Sequence, residues 1–272
     1  VTRADAPERP LVLTGSVHVG QPGQFVLPPS LEAALARAGT LVVELDPDAV
    51  DPREVQESMM RLGFLPPPDS LNAYLSPETR RLLPAALARA GLPPAAAERM
   101  RPWTLSLTLA VMELQKAGYS DEGGIDRMLL ARAKKDGKRV VELETLQEQL
   151  QSLAGLPDAL QDLMLRDQLR ESQQEGAAER AFTEMVRAWK EGDAEALASV
   201  VFDEAGDPAY ASYYEAIFFQ RNRQMADKLE LLVGREDAPI AVVGAGHLVG
   251  EQGVPALLAA KGFRVRQLPR GD

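Results

Sequence analysis

IAVVGAGHLVG, residues Ile240–Gly250, reads as a buried apolar strand that breaks into a glycine-rich turn carrying one histidine, His247. The chain has only two histidines, and the other, His18, lies in LVLTGSVHVG, Leu11–Gly20. Both stretches follow one plan: an apolar run, then Gly-x-x-His, then a glycine two or three residues on. Chance would rarely set both histidines of the chain in the same local frame. The simplest physical reason is that the two strand ends meet and present their imidazoles to one point. Imidazole is the commonest side-chain ligand for zinc-like metals.

Working outward, Leu11–Thr14 reads as a central strand, with a helix after it from a cap at Ser30 to Gly39. Thr40–Leu45, TLVVEL, reads as a second buried strand that ends in Glu44-Leu-Asp46. Alternation puts Glu44 and Asp46 on one face, and acids at the carboxyl end of a buried strand suit a crevice better than a core. Lys138–Glu144, KRVVELE, nearly repeats that phrase, with Glu142 and Glu144 sharing a face. An acid at Glu142 would repel Glu144, so Glu144 is the preferred site residue of the two. A final strand is expected over Phe263–Leu268, FRVRQL.

The rest is helical in pattern. Ser76-Pro77 opens one helix and Gly91 closes it. Trp103–Gly118 is apolar nearly all round and reads as a buried helix. Gly124-Ile-Asp126 opens another, with Asp126 as a capping or first-turn acid. The aromatics of Tyr210–Phe219 read as packing. The expected fold is therefore α/β: a mixed central sheet built from two similar β-(GxxH)-α-β halves, with a large helical insertion. One domain spans 1–272, with sheet halves at 11–62 and 236–268 and an insertion at 71–235 that carries one core strand at about 138–144.

Composition narrows the function. The net charge is −10 over 272 residues, and no basic stripe stands out, which argues against a nucleic-acid partner. Cysteine is absent, so disulfides, thiolate–zinc sites and a thiol nucleophile are excluded. No run approaches the roughly 18–20 apolar residues of a membrane span. The polar, Pro-containing opening VTRADAPERP is of the kind that follows a removed targeting segment, so export is expected, with a lipid anchor possible upstream. A dinucleotide fingerprint fails because Val249 stands where the third glycine belongs. No Gly-x-Ser-x-Gly elbow is present.

Taken together, GSVHVG, VVELD, the Gly124-Ile-Asp126 step, Leu143-Glu144-Thr145 with glutamines behind it, Arg221-Asn222-x-x-Met225 and GAGHLVG resemble the TraB/GumN family, which includes the Tiki proteases. Order and spacing match from Leu11 to Leu268. The resemblance implies a fold related to the erythromycin-esterase-like enzymes and a divalent-metal hydrolase site. The matching positions are His18, Glu44, Glu144, Arg221, Asn222 and His247. The usual first turn of the family is Gly-Thr-x-His; here Ser16 keeps the hydroxyl. The resemblance also implies a peptide or protein substrate and a periplasmic, extracellular or membrane-anchored location.

Such chemistry needs few parts: ligands that leave a position open for water, a carboxylate to take its proton, and a cation for the developing oxyanion. His18 and His247 would be ligands, with Glu44 or Glu144 as the third and the other glutamate as base. Arg221 would face the oxyanion or orient a carboxylate, and Asn222 would be a polar contact. Manganese, cobalt and zinc all suit nitrogen and oxygen ligands. Two rivals stand beside this reading: a peptide-binding or regulatory protein without turnover, and an esterase-like hydrolase of a small molecule.

Overall fold

The computed structural model describes residues 1–174 and 176–268. Glu175, inside the expected insertion, and 269–272 lie outside the described residues. Among the described residues four strands form the sheet: β1 (Val12–Ser16), β2 (Thr40–Val43), β3 (Arg139–Glu142) and β4 (Ile240–Gly244). Their order is β1-β4-β2-β3, and every pairing between them is parallel. The α/β class stands. The antiparallel character of a mixed sheet is confined to isolated bridges such as Thr2 with Arg264.

β2 and β4 are apolar runs because both of their faces are covered. Leu41, Val43, Ile240 and Val242 face Leu31, Leu35, Leu129 and Ala133 of the helices Pro29–Arg37 and Ile125–Lys135. Val42, Ala241 and Val243 face Met225, Leu229, Val254 and Leu258 of the helices Gln220–Glu230 and Val254–Ala260. The helices Pro77–Ala90, Pro102–Lys116 and Asp158–Glu171 share a separate core that includes Leu83, Leu87, Leu105, Leu109 and Leu165. Among the described residues no helix is long and apolar enough to cross a membrane.

Local signals mostly act as written. Asp51 and Ser76 cap helices that begin with proline, Gly91 closes its helix at φ 75°, and Thr145 with Glu148 forms a capping box. Four expectations need correction. The strand expected as central at Leu11–Thr14 is β1, which lies at an edge of the sheet beside β4. Ser30 is not a cap: Pro29 is already the first helical residue, and Ala38, not Gly39, is the C-cap. The helix Pro102–Lys116 is not buried all round, since Leu107 and Val111 are 48% and 41% exposed. Phe263–Leu268 does not join the sheet; only Arg264 makes a bridge, to Thr2. An outer parallel strand beside β1 would carry Arg264 and Arg266 on one face beneath a helix, and that desolvation has no compensating partner.

Candidate active site

All four strands point their carboxyl ends the same way, and each end carries one of the expected residues. Across the sheet these are His18 after β1, His247 after β4, Glu44 after β2 and Glu144 after β3. Crevice sites of parallel sheets form at this edge. Backbone bonds from Leu143 N–H to Val43 O (2.8 Å) and from Glu144 N–H to Glu44 O (2.9 Å) extend the pairing and hold the glutamates side by side.

Arg221, in the first turn of the helix Gln220–Glu230, binds both. Its Nε donates to Glu144 Oε1 at 2.7 Å, and its Nη2 donates to Glu144 Oε2 at 2.6 Å and to Glu44 Oε2 at 3.1 Å. Its Nη1 donates to Ile217 O at 3.0 Å, within the π-helical turn Glu215–Phe219. Gln149 Nε2 donates to Glu144 Oε2 at 3.1 Å. Burial pushes the Glu144 carboxyl up, but the bonds and charge of Arg221 outweigh it and hold the group below its ordinary value. The same contacts outweigh burial at Arg221 and raise its affinity for its proton. With both oxygens engaged by Arg221, Glu144 serves as the anchor of the guanidinium.

Glu44 is placed differently. Its Oε1 accepts from Gly244 N–H and stands 3.7 Å from His247 Nε2. His247 Nδ1 bonds Asn222 Oδ1, and Asn222 Nδ2 donates to Gln252 O at 2.8 Å. That chain sets the tautomer: Asn222 Nδ2 is spent on a carbonyl, so its oxygen faces the ring and Nδ1 carries the proton. Burial is the main reason that His247 is pushed down to about 4, so near neutral pH it is uncharged with a lone pair on Nε2. Phe218, one of the aromatics read as packing, lies against this ring at 5.4 Å between centroids.

His18 approaches from the other side. Its Nδ1 bonds Asp126 Oδ2 at 3.0 Å, and its ring stays 62% exposed. Loss of hydration lowers its pKa, but the bond and charge of Asp126, with Glu44 behind, overcome this and raise it to about 9. The loop is pinned by Ile125 N–H on Val17 O at 3.0 Å and by paired bonds between Gly20 and Ser120. This explains the Gly124-Ile-Asp126 step: a Cβ on Gly124 would stand 2.3 Å from His18 O. Gly124→Ala is expected to lower stability by about 1–3 kcal/mol, the scale of overpacking a backbone contact. Chemical denaturation measures it, and an unchanged midpoint would mean that the loop can move aside freely.

The two histidines meet across Gly244. A Cβ there would lie 3.1 Å from His18 Nε2, 3.2 Å from Glu44 Oε1 and 3.5 Å from His247 Cδ2. Glycine keeps that cradle open. As the side chains stand, no three His, Asp or Glu groups among the described residues close on one ion. The donor set fits a metal in its chemistry: each imidazole has Nδ1 tied to an oxygen and Nε2 left over, the arrangement that orients histidine ligands.

Six expected residues thus occupy one strand-end region. Asp46 leaves it: its carboxylate takes Lys134 Nζ at 2.8 Å. Glu142 accepts from Asp46 N–H at 2.7 Å and lies outside too. The expected strand alternation does not reach Asp46 because β2 ends at Val43. Asp126 is a first-turn acid, as expected, and not the cap, which is Gly124; its bond to His18 was not foreseen. Gln149 belongs to the glutamines behind Leu143-Glu144-Thr145 that carry the family resemblance, but nothing local marked it as the partner of Glu144.

Histidines and carboxylates in a row at the ends of a parallel sheet, the carboxylates joined by one helix-borne arginine, define an α/β protein with a polar crevice site. A sequence model of the TraB/PrgY/gumN family matches residues 1–267, and the chain belongs to that family. It is similar to the "Uncharacterized protein YbaP" of Escherichia coli (strain K12), 30% identical over 247 residues, which cover 90% of this chain and 86% of the relative. The protein of the same name from Shigella flexneri matches to the same extent. No solved structure gives a significant match.

Proposed function

We propose that the chain is a metal-dependent hydrolase of peptides, with its ion held by His18 Nε2, His247 Nε2 and Glu44 Oε1. One observation supports this above the rest: both imidazoles have Nδ1 bound to an oxygen, and the space over Gly244 is bordered by His18 Nε2 and Glu44 Oε1. When bound, the ion would supply an acidified water and polarise the substrate carbonyl. Asp126 and Asn222 orient the rings. Glu44 Oε2, the oxygen not given to the ion, accepts from Arg221 Nη2 at 3.1 Å. Arg221 supplies positive charge beside it for a developing oxyanion, and Glu144 with Gln149 keeps that guanidinium in place. The family's exported or anchored setting is retained in this reading as the place where such a peptidase would work.

Elemental analysis after dialysis against manganese, cobalt and zinc in turn tests it. About one ion per chain is expected, lost in both His18→Ala and His247→Ala, with His18 giving up its proton on loading. A full equivalent retained in either variant sinks the two-histidine site. Asn222→Ala is expected to weaken metal binding about 10–100-fold, the scale for removing a ligand's orienting partner. Competition against a chelator measures this, and unchanged affinity would mean that Asn222 serves the fold alone.

A second reading is favoured by Arg221, which engages both glutamates as they stand: a protein that binds peptides without cutting them. Bound metal with no cleavage across a peptide and ester panel would support it. Cleavage of esters alone would move the assignment to an esterase-like enzyme.

A further inference from the structure

β1 is one edge of the sheet, and among the described residues no strand covers its outer side. Val12 N–H bonds Pro239 O at 3.2 Å, so Val12, Thr14 and Ser16 direct their backbone groups at β4. Alternation turns Leu11, Leu13 and Gly15 outward. Leu11 is matched by Val1, and Gly15 O accepts from Trp189 Nε1 at 2.9 Å. Among the described residues nothing bonds the N–H or C=O of Leu13 or the N–H of Gly15. Alongside runs a groove of about 1340 Å³, walled by the helix Pro29–Arg37 and by the tail Arg264–Leu268. That tail is the segment expected as a strand. It is held off the sheet by Thr2 at one end and by Gln267 on Gly192 O, at 2.8 Å, at the other.

We propose that this groove takes an extended, acidic stretch of polypeptide, which adds to β1 as a fifth strand. The inference rests on the peptidase reading and names the substrate class for it. Three features point to this occupant. Unused backbone donors and an acceptor on a strand edge are best met by another extended backbone. The groove also ends beside the proposed centre: Gly15 and Ala245 line it, each next in sequence to Ser16 or Gly244, while His18, Glu44 and His247 stand outside it. Finally, its charges are asymmetric. Arg37, Arg264 and Arg266 line it with no carboxylate partner among the described residues, in a chain of net charge −10. The carboxylates there are already engaged, Glu191 with Arg187 and Asp193 with the N–H of Ala196. A second copy pairing edge to edge would bring these arginines against each other, so the surface disfavours that partner.

The test is fluorescence anisotropy in EDTA, where cleavage is silenced, with a labelled ten-residue peptide of alternating Glu and Thr. The controls are its Lys/Thr counterpart and a Glu/Thr peptide N-methylated at every second residue. The acidic peptide should bind at least about tenfold tighter than either control. The triple variant R37E/R264E/R266E, which alters only exposed side chains, should reverse the charge preference. Equal binding of the N-methylated peptide overturns strand addition, and equal binding of the Lys/Thr peptide overturns the acidic preference. Dimers in sedimentation that the acidic peptide cannot dissociate would assign the edge to a second copy and overturn the proposal. Failure of the peptidase reading looks different: the acidic peptide binds, yet no metal-loaded protein cuts it. Cleavage of peptides without any acidic-peptide binding in EDTA sinks the groove alone.

Discussion

Arg221→Ala is expected to lower the unfolding free energy by about 3–5 kcal/mol, the scale for stripping the partner from a buried charge. The side chains of Arg221, Glu44 and Glu144 are only 14%, 9% and 3% exposed. Alanine would leave two carboxylates side by side, with burial and mutual repulsion both opposing their ionisation. The cost comes from what remains, so adding Glu144→Gln to Arg221→Ala should recover part of the loss. Urea denaturation of the two single variants and the double variant measures this coupling. Additive losses would show that the guanidinium and Glu144 do not depend on each other. Arg221→Lys should recover little, because an ammonium cannot reproduce the fork that spans Glu144 Oε1 and Oε2.

The second large effect is on turnover. Glu44→Gln is expected to cut peptide hydrolysis by at least about 10²-fold, the scale of a lost general base or ligand. The amide is nearly isosteric and its oxygen can still accept from Gly244 N–H, so the chain trace should survive. What disappears is the negative charge beside His247. Glu144→Gln should lose a comparable factor by another route, through release of Arg221. The two separate by position of the defect: metal stoichiometry falls in Glu44→Gln and holds in Glu144→Gln. Wild-type rates in both variants would remove the carboxylates from the chemistry.

Much of this site was legible because its parts repeat in short frames. Two Gly-x-x-His turns after apolar runs announced adjacent strand ends, and β1 and β4 do pair. VVELD and VVELE announced two acid-tipped strands, and β2 and β3 pair too. Arg221 and Asn222 stood out through the family pattern alone, since a helix arginine carries no local mark of which carboxylate it will meet. Asp126 was open to two uses, a helix-capping bond or a long-range one. The loop Val17–Gly20, which decides between them, is distant in sequence. The tail Phe263–Leu268 alternates like a strand, but alternation records only which side chains share a face, and burial under helices rejects two arginines. The rest of the strand order, with β4 set between β1 and β2, left no trace in the local patterns.

That order has a consequence for synthesis. β4, the last strand of the chain, lies between β1 and β2. A growing polypeptide therefore cannot zip its first two strands together and wait; the slot between them belongs to a segment some two hundred residues downstream. Contacts of such separation form slowly because so much loop must be closed before any of them is rewarded. Until Ile240–Gly244 emerges, β1 and β2 stay open along the sides they will share with it, and the helix Pro29–Arg37 has no finished sheet to pack on. Nascent chains stopped short of β4 should accordingly remain protease-sensitive over their N-terminal region, and become resistant in one step once the middle strand is supplied.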